Sequence, residues 1–135
     1  MSTSKTLYLK NLRTESIHTK SGEKIISDAP TDNYGKGESF SPTDLLATSL
    51  TKCMITIMGI YGNNNGIELE YAEAETTKIM ESIPRRVGEI KINLGLKISP
   101  DNEANRTKMK TAGLACPVAK SLHPDILQTI HFEFK

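Results

Sequence analysis

The two cysteines, Cys53 and Cys116, are the most reactive side chains in this 135-residue chain. A thiolate is a nucleophile and is easily oxidised. Two thiols in one fold can interconvert between dithiol and disulfide when their Cα atoms come within about 7 Å. Cys116 stands directly before Pro117, where a helix is expected to start. There the thiol should meet unpaired backbone N–H groups and the positive end of the helix dipole, which lowers its pKa. Cys53 gets no such help from its neighbours. On a helix its contacts three and four positions away are Ser49, Leu50, Thr56 and Ile57, none charged. Lys52 points about 100° away. A cation for Cys53 must therefore come from another segment or another chain. Each thiol also has a plain reading, Cys53 as core filling and Cys116 as a helix boundary.

The elements that must carry these residues follow from pattern. Ser41 is an N-cap candidate, Pro42 falls at the first helical position and Asp44 at the third, a capping box with Asp in place of Glu. The apolar run that follows predicts a helix to about Tyr61, ending near Gly62 and the 63–66 Asn-Asn-Asn-Gly turn. Leu46, Leu50, Cys53, Ile57 and Ile60 form one stripe, and Ala47, Met54, Met58 and Tyr61 a second, so the helix is expected to be buried on most sides. Upstream, 6–12, 15–20 and 23–28 read as short strands, with Ser21-Gly22 as a turn and 29–40 as a loop rich in Pro, Asn, Asp and Gly. Downstream, alternation from Ile67 predicts a strand toward Met80, and Pro84 a turn. Strict alternation of Ile90, Ile92, Leu94, Leu96 and Ile98 with mainly polar residues predicts a half-buried antiparallel strand. Pro100-Asp101 opens a second helix to about Leu114. A short third helix begins at Cys116-Pro117 and stops at His123-Pro124. Ile130, Phe132 and Phe134 close the chain as a strand. The order β-β-β-α-β-β-α-α-β is an α+β fold, helices on a mostly antiparallel sheet, in one domain over residues 1–135.

Composition narrows the function. Seventeen Lys and Arg against sixteen Asp and Glu leave a net charge of +1, which argues against a nucleic-acid binder working by bulk electrostatics. Aromatic content of 5% with no Trp gives no stacking platform for single strands. The first twenty residues hold no apolar h-region. The apolar stretch 45–61 is broken by Lys52 and several Thr and Ser residues, which argues against a membrane span. Two cysteines do not make a disulfide scaffold. His18, His123 and His131 lack metal-ligand spacing, and no Gly-rich loop links a strand to a helix, so neither a metal nor a nucleotide cofactor is expected. The expectation is a cytoplasmic protein.

The segment 41–53, Ser-Pro-Thr-Asp-Leu-Leu-Ala-Thr-Ser-Leu-Thr-Lys-Cys, resembles the first motif of the OsmC family of osmotically induced peroxidases and organic hydroperoxide resistance proteins. The segment 116–122, Cys-Pro-Val-Ala-Lys-Ser-Leu, resembles its second. Gly22, the 28–37 loop and Pro84-Arg85-Arg86 fit as well. The resemblance implies a thiol peroxidase: Cys53 attacks a hydroperoxide and becomes a sulfenic acid, and Cys116 resolves it as a disulfide. It also implies an intertwined homodimer with active sites at the interface, and a dithiol or lipoyl-type reductant. An apolar pocket would favour organic hydroperoxides over hydrogen peroxide.

Family peroxidases activate the first cysteine with an Arg held by a carboxylate. Asp44 is the nearest match to that acid. It lies nine residues before Cys53, about 180° around the helix and roughly 13.5 Å along it, so within one chain it cannot touch the thiol; capping is its other role. Lys36 in the 29–40 loop and Arg13 on the first strands are the candidate cations. Arg85 and Arg86 read as surface charges. Two other readings use the same fold: a stoichiometric redox sensor with the same thiols, and a binding dimer whose cleft is lined by Met54, Met58 and Met109, set against those Met residues simply filling the core.

Overall fold

The computed structural model describes residues 1–135. Its elements are β1 (Ser4–Tyr8), β2 (Arg13–His18), β3 (Lys24–Asp28), a 3-10 turn (Thr31–Asn33), α1 (Pro42–Asn65), β4 (Glu68–Ser82), β5 (Arg85–Ser99), α2 (Glu103–Leu114), α3 (Pro117–Ser121) and β6 (Leu127–Phe134). The α+β class and the element order are those expected. The chain divides into two compact units, Met1–Leu45 and Leu46–Lys135.

In the first unit β1, β2 and β3 form an antiparallel sheet in sequence order. The first strand stops at Tyr8, short of the expected Leu12. Lys10, Asn11 and Leu12 take φ of 74°, 55° and 62°, a left-handed loop that no strand can continue. Leu9 N–H donates to the Arg13 carbonyl to close it. Asp28 and Ser41 are the buried residues of this unit, whereas Leu7, Tyr8, Leu9, Leu12, Ile25 and Phe40 stay exposed.

In the second unit β4 and β5 make a long antiparallel hairpin, and β6 joins β5 in parallel, giving the order β4-β5-β6. The alternation in β5 decides the core: Ile90, Ile92, Leu94, Leu96 and Ile98 are all buried. They cluster with Ala47, Leu50, Met54 and Met58 of α1, Met109 of α2, and Cys116. Each large side chain there contributes about 1.5–3 kcal/mol by leaving water. Met54, Met58 and Met109 are thus core residues rather than the wall of a cleft.

α1 differs from expectation at three points. It runs past Gly62 to Asn65 and ends in a Schellman motif, with Gly66 at φ 69° and Ile67 N–H donating to the Gly62 carbonyl. It is buried along one face only, through Ala47, Leu50, Thr51, Met54, Met58 and Gly62, while Leu46 and Ile60 remain exposed. By length and composition it is apolar enough to cross a bilayer, despite Lys52. What marks it as a core helix is that its Leu50–Met54–Met58 face packs into the same cluster as the sheet.

Candidate redox site

Cys53 sits in the middle of α1, half-buried, on the flank of the helix beside its core-facing stripe. Cys116 is the N-cap of α3, with φ −65° and ψ 154°, and Pro117 follows at the first helical position. The Cys116 carbonyl accepts from Lys120 N–H, which closes the first turn of α3. The Cys116 side chain is fully buried, and both thiols are free. The fold makes them neighbours: Cys116 belongs to the core cluster that Cys53 packs against, and Cys53 is among the groups that act on the Cys116 thiol. Sequence spacing could not establish that relationship, since sixty-three residues separate them.

The expected fall in the Cys116 pKa is overturned. Burial pushes the thiol above its ordinary value, and the neighbouring Cys53 thiol adds to the rise. The Ala119 and Val118 N–H groups at the start of α3 do pull the other way, as the helix-start argument requires, but the desolvation is larger. Cys116 is therefore held as a neutral thiol against a half-exposed partner. That division suits a pair in which the exposed sulfur meets a substrate and the buried one waits.

The first unit holds a cluster of charge. Arg13 on β2 faces Asp28 on β3 in direct register. Its Nε and Nη2 donate to the two Asp28 carboxylate oxygens at 2.7 and 2.9 Å, and Nη2 also reaches Glu38 at 3.3 Å. These hydrogen bonds hold the Asp28 carboxyl below the usual carboxylate range against the cost of burying it. The charge of Arg13, the Glu38 backbone N–H and Lys36 strengthen the pull. Lys36 and Arg13 share a cleft of about 300 Å³ with Leu9, Lys10, Asn11, Asp28 and Glu38. Asp28 was not among the residues singled out by sequence, yet it is the carboxylate that holds Arg13.

Asp44 makes the reciprocal capping box. Its backbone N–H donates to Ser41 Oγ at 3.0 Å, and its carboxylate accepts from Ser41 N–H at 2.9 Å. Arg86 on β5 pairs with Glu81 at 2.7 Å across the hairpin. Nowhere do three or more metal-ligating side chains converge.

Known proteins share this fold. A family model for OsmC-like proteins matches residues 35–130. A solved structure from Psychrobacter arcticus 273-4, provisionally assigned to the osmotic stress and detoxification response, is 47% identical; the match covers 98% of this chain and 96% of the other, with a TM-score of 0.91. The organic hydroperoxide resistance protein OsmC of Legionella pneumophila shares the fold at 16% identity, with 96% and 94% coverage and a TM-score of 0.70. OhrB of Bacillus subtilis, also an organic hydroperoxide resistance protein, does so at 13% identity, with 99% and 98% coverage and a TM-score of 0.64. No curated protein matches the chain.

Proposed function

The chain belongs to the OsmC-like protein family, and from that premise we propose that it is a thiol peroxidase reducing organic hydroperoxides in oxidative stress defence. The observation that carries this reading is the placing of a half-buried Cys53 beside a buried Cys116, both thiols free.

The Cys53 thiolate attacks the terminal oxygen of a hydroperoxide. The O–O bond breaks, the alkoxide leaves and takes a proton to become the alcohol, and Cys53 becomes a sulfenic acid. The Cys116 sulfur then attacks the Cys53 sulfur. An S–S bond forms, the S–O bond breaks, and the hydroxyl departs with the Cys116 proton as water. A dithiol or lipoyl-type reductant restores both thiols by exchange. Speed in the second step matters, because a sulfenic acid left alone goes on to the sulfinic acid.

Arg13, gripped by Asp28, is the proposed cation that favours the Cys53 thiolate and orients the peroxide, and in the homodimer the partner chain is its proposed source. A guanidinium held by a carboxylate has the planar fork that Lys36 lacks. Lys36 then serves as a background charge at Asp28, and Asp44 as a helix cap. The protein works in the cytoplasm, where thiols stay reduced. The whole chain acts as one OsmC-like domain and assembles as a homodimer in which each site draws on both subunits.

Counting thiols before and after one equivalent of cumene hydroperoxide tests the reading. Loss of two thiols, with turnover on added dihydrolipoamide, is expected, and Cys53→Ser should abolish both. Loss without turnover would make the protein a stoichiometric sensor. No loss at all would defeat the redox reading.

A further inference from the structure

We infer that Gly113 is a positioning residue for the second step of this chemistry: its missing side chain lets α2 approach α1 closely enough to deliver Cys116 to Cys53. The inference rests on the thiol-peroxidase reading for its chemistry, but its geometry stands apart from it.

Gly113 is buried near the C-terminal end of α2. A Cβ built there would lie 2.9 Å from Met58 Sδ, 3.0 Å from Met58 Cγ and 3.8 Å from Met54 Cε. Met58 and Met54 belong to the core face of α1, and both are buried. Met54 is also the residue directly after Cys53. The contact thus lies one to five residues past the nucleophile on α1, and three residues before the resolving thiol in the chain.

Gly113 is tied to Cys116 through the backbone. The Cys116 N–H donates to the Gly113 carbonyl at 3.2 Å, and the Ala115 N–H to the Ala112 carbonyl at 3.3 Å. These bonds close the end of α2 and set where the chain turns into α3. A displacement of Gly113 away from Met58 is passed to Cys116 through that short, bonded segment. Met109, one turn earlier on α2, is fully buried in the same cluster, so the helix has little freedom to pivot around the clash.

A methyl at position 113 must move Met58 or move α2. Met58 has no solvent to swing into, so α2 should give, and the two sulfurs separate. Resolution needs sulfur to meet sulfur in line, and a displacement near 1 Å can cost such a step about a hundredfold. Of the two thiols, the first oxidation uses only Cys53, and it should be spared.

The test is Gly113→Ala, with Met58→Ala and the double variant G113A/M58A beside it. Dimedone capture of the Cys53 sulfenic acid reads the first step. Mass spectrometry of the Cys53–Cys116 disulfide reads the second. In Gly113→Ala, capture should stay within about twofold of wild type while closure slows at least tenfold and sulfinic acid accumulates on Cys53. Shortening Met58 in the double variant should restore closure. Diamide supplies a peroxide-free oxidant: it is reduced to its hydrazine as it joins two neighbouring thiols. With diamide, closure should be slowed by Gly113→Ala even if the peroxidase reading fails. Wild-type closure in Gly113→Ala under both oxidants would overturn the inference. So would slow closure that the Met58 truncation leaves unrepaired. Should Gly113→Ala not fold, the double variant and wild type must still close at like rates, and a double variant that folds but fails to close overturns it equally.

Discussion

Arg13 and Asp28 face each other across β2 and β3, joined by two hydrogen bonds of 2.7 and 2.9 Å in which the guanidinium fork matches both carboxylate oxygens. Asp28 is only 4% exposed, while Arg13 is partly open to solvent. A carboxylate so buried is tolerated when its partner is charged and well aligned. The pair fixes the plane of a guanidinium that a lysine could not match.

The first prediction concerns that plane. Arg13→Lys keeps the charge and loses the fork, and Asp28→Asn keeps the shape and loses the grip. Both should lower kcat/KM for cumene hydroperoxide by about ten- to a hundredfold, and Arg13→Ala by more. Stopped-flow assays with dihydrolipoamide as reductant check this. Arg13→Ala with wild-type kcat/KM would remove Arg13 from the mechanism.

A second prediction follows from the depressed Asp28 pKa. The folded carboxyl gives up its proton more readily than the unfolded one. Asp28 therefore contributes stability that is present above the ordinary carboxylate pKa of about 3.9 and is lost as pH falls through that value toward the lower folded one. Thermal melts should show an acid decline between about pH 5 and pH 2 that Asp28→Asn flattens. An identical acid limb in both proteins would show that the pair is not what fails.

Features set by neighbouring residues were the ones legible in the sequence. The Ser41–Asp44 capping box is local, and its hydrogen bonds form as read. The alternation in β5 is likewise local, and all five of its apolar residues are buried. Asp28 was missed because a strand residue's partner depends on hairpin register, and the hairpin centre lies a residue earlier than the Ser21-Gly22 signal suggested. The break at Lys10–Leu12 carried no glycine to announce its left-handed backbone. The Cys116 pKa was read with the wrong sign because N–H donors at a helix start can be counted in sequence, whereas the burial that outweighs them depends on how α2, α3 and α1 pack. That the two thiols are neighbours depends on the same packing.

The raised Cys116 pKa gives a third prediction. In the native state this thiol keeps its proton to higher pH than in the unfolded chain. Its contribution to stability is therefore complete below the ordinary thiol pKa of about 8.5 and is lost as pH rises through and beyond that value. The reduced protein should lose Tm between about pH 8 and pH 10, and Cys116→Ser, which has no proton to lose there, should lose less. Disulfide closure should also accelerate with pH across that range, because the attacking sulfur ionises late. A flat closure profile from pH 7 to pH 10 would mean that Cys116 reacts already ionised, against the burial that surrounds it.

The last prediction concerns assembly. Leu46, Ser49, Cys53, Ile57 and Ile60 follow one another at helical spacing along α1, and the ends of that ridge are 39% exposed at Leu46 and 50% at Ile60. The core covers the adjacent face of the helix, through Leu50, Met54 and Met58. The first unit likewise leaves Leu7, Leu9, Leu12 and Phe40 exposed, with Asp28 and Ser41 its buried residues. Apolar surface of this extent usually marks an interface, and a two-fold dimer is the commonest way to close one. Cys53 lies within the α1 ridge, so whatever covers the ridge also shapes the approach to the nucleophile. A partner chain would remove the ridge from water, exclude water from the thiol and bring a cation that α1 itself does not supply. Light scattering at micromolar concentration should give twice the 14.9 kDa chain mass. Ile60→Glu, which places a charge on the ridge two turns from Cys53, should shift the mass toward the monomer and reduce peroxidase turnover in parallel. A folded 14.9 kDa species that turns over hydroperoxide at the full rate would sink both the dimer and the shared site.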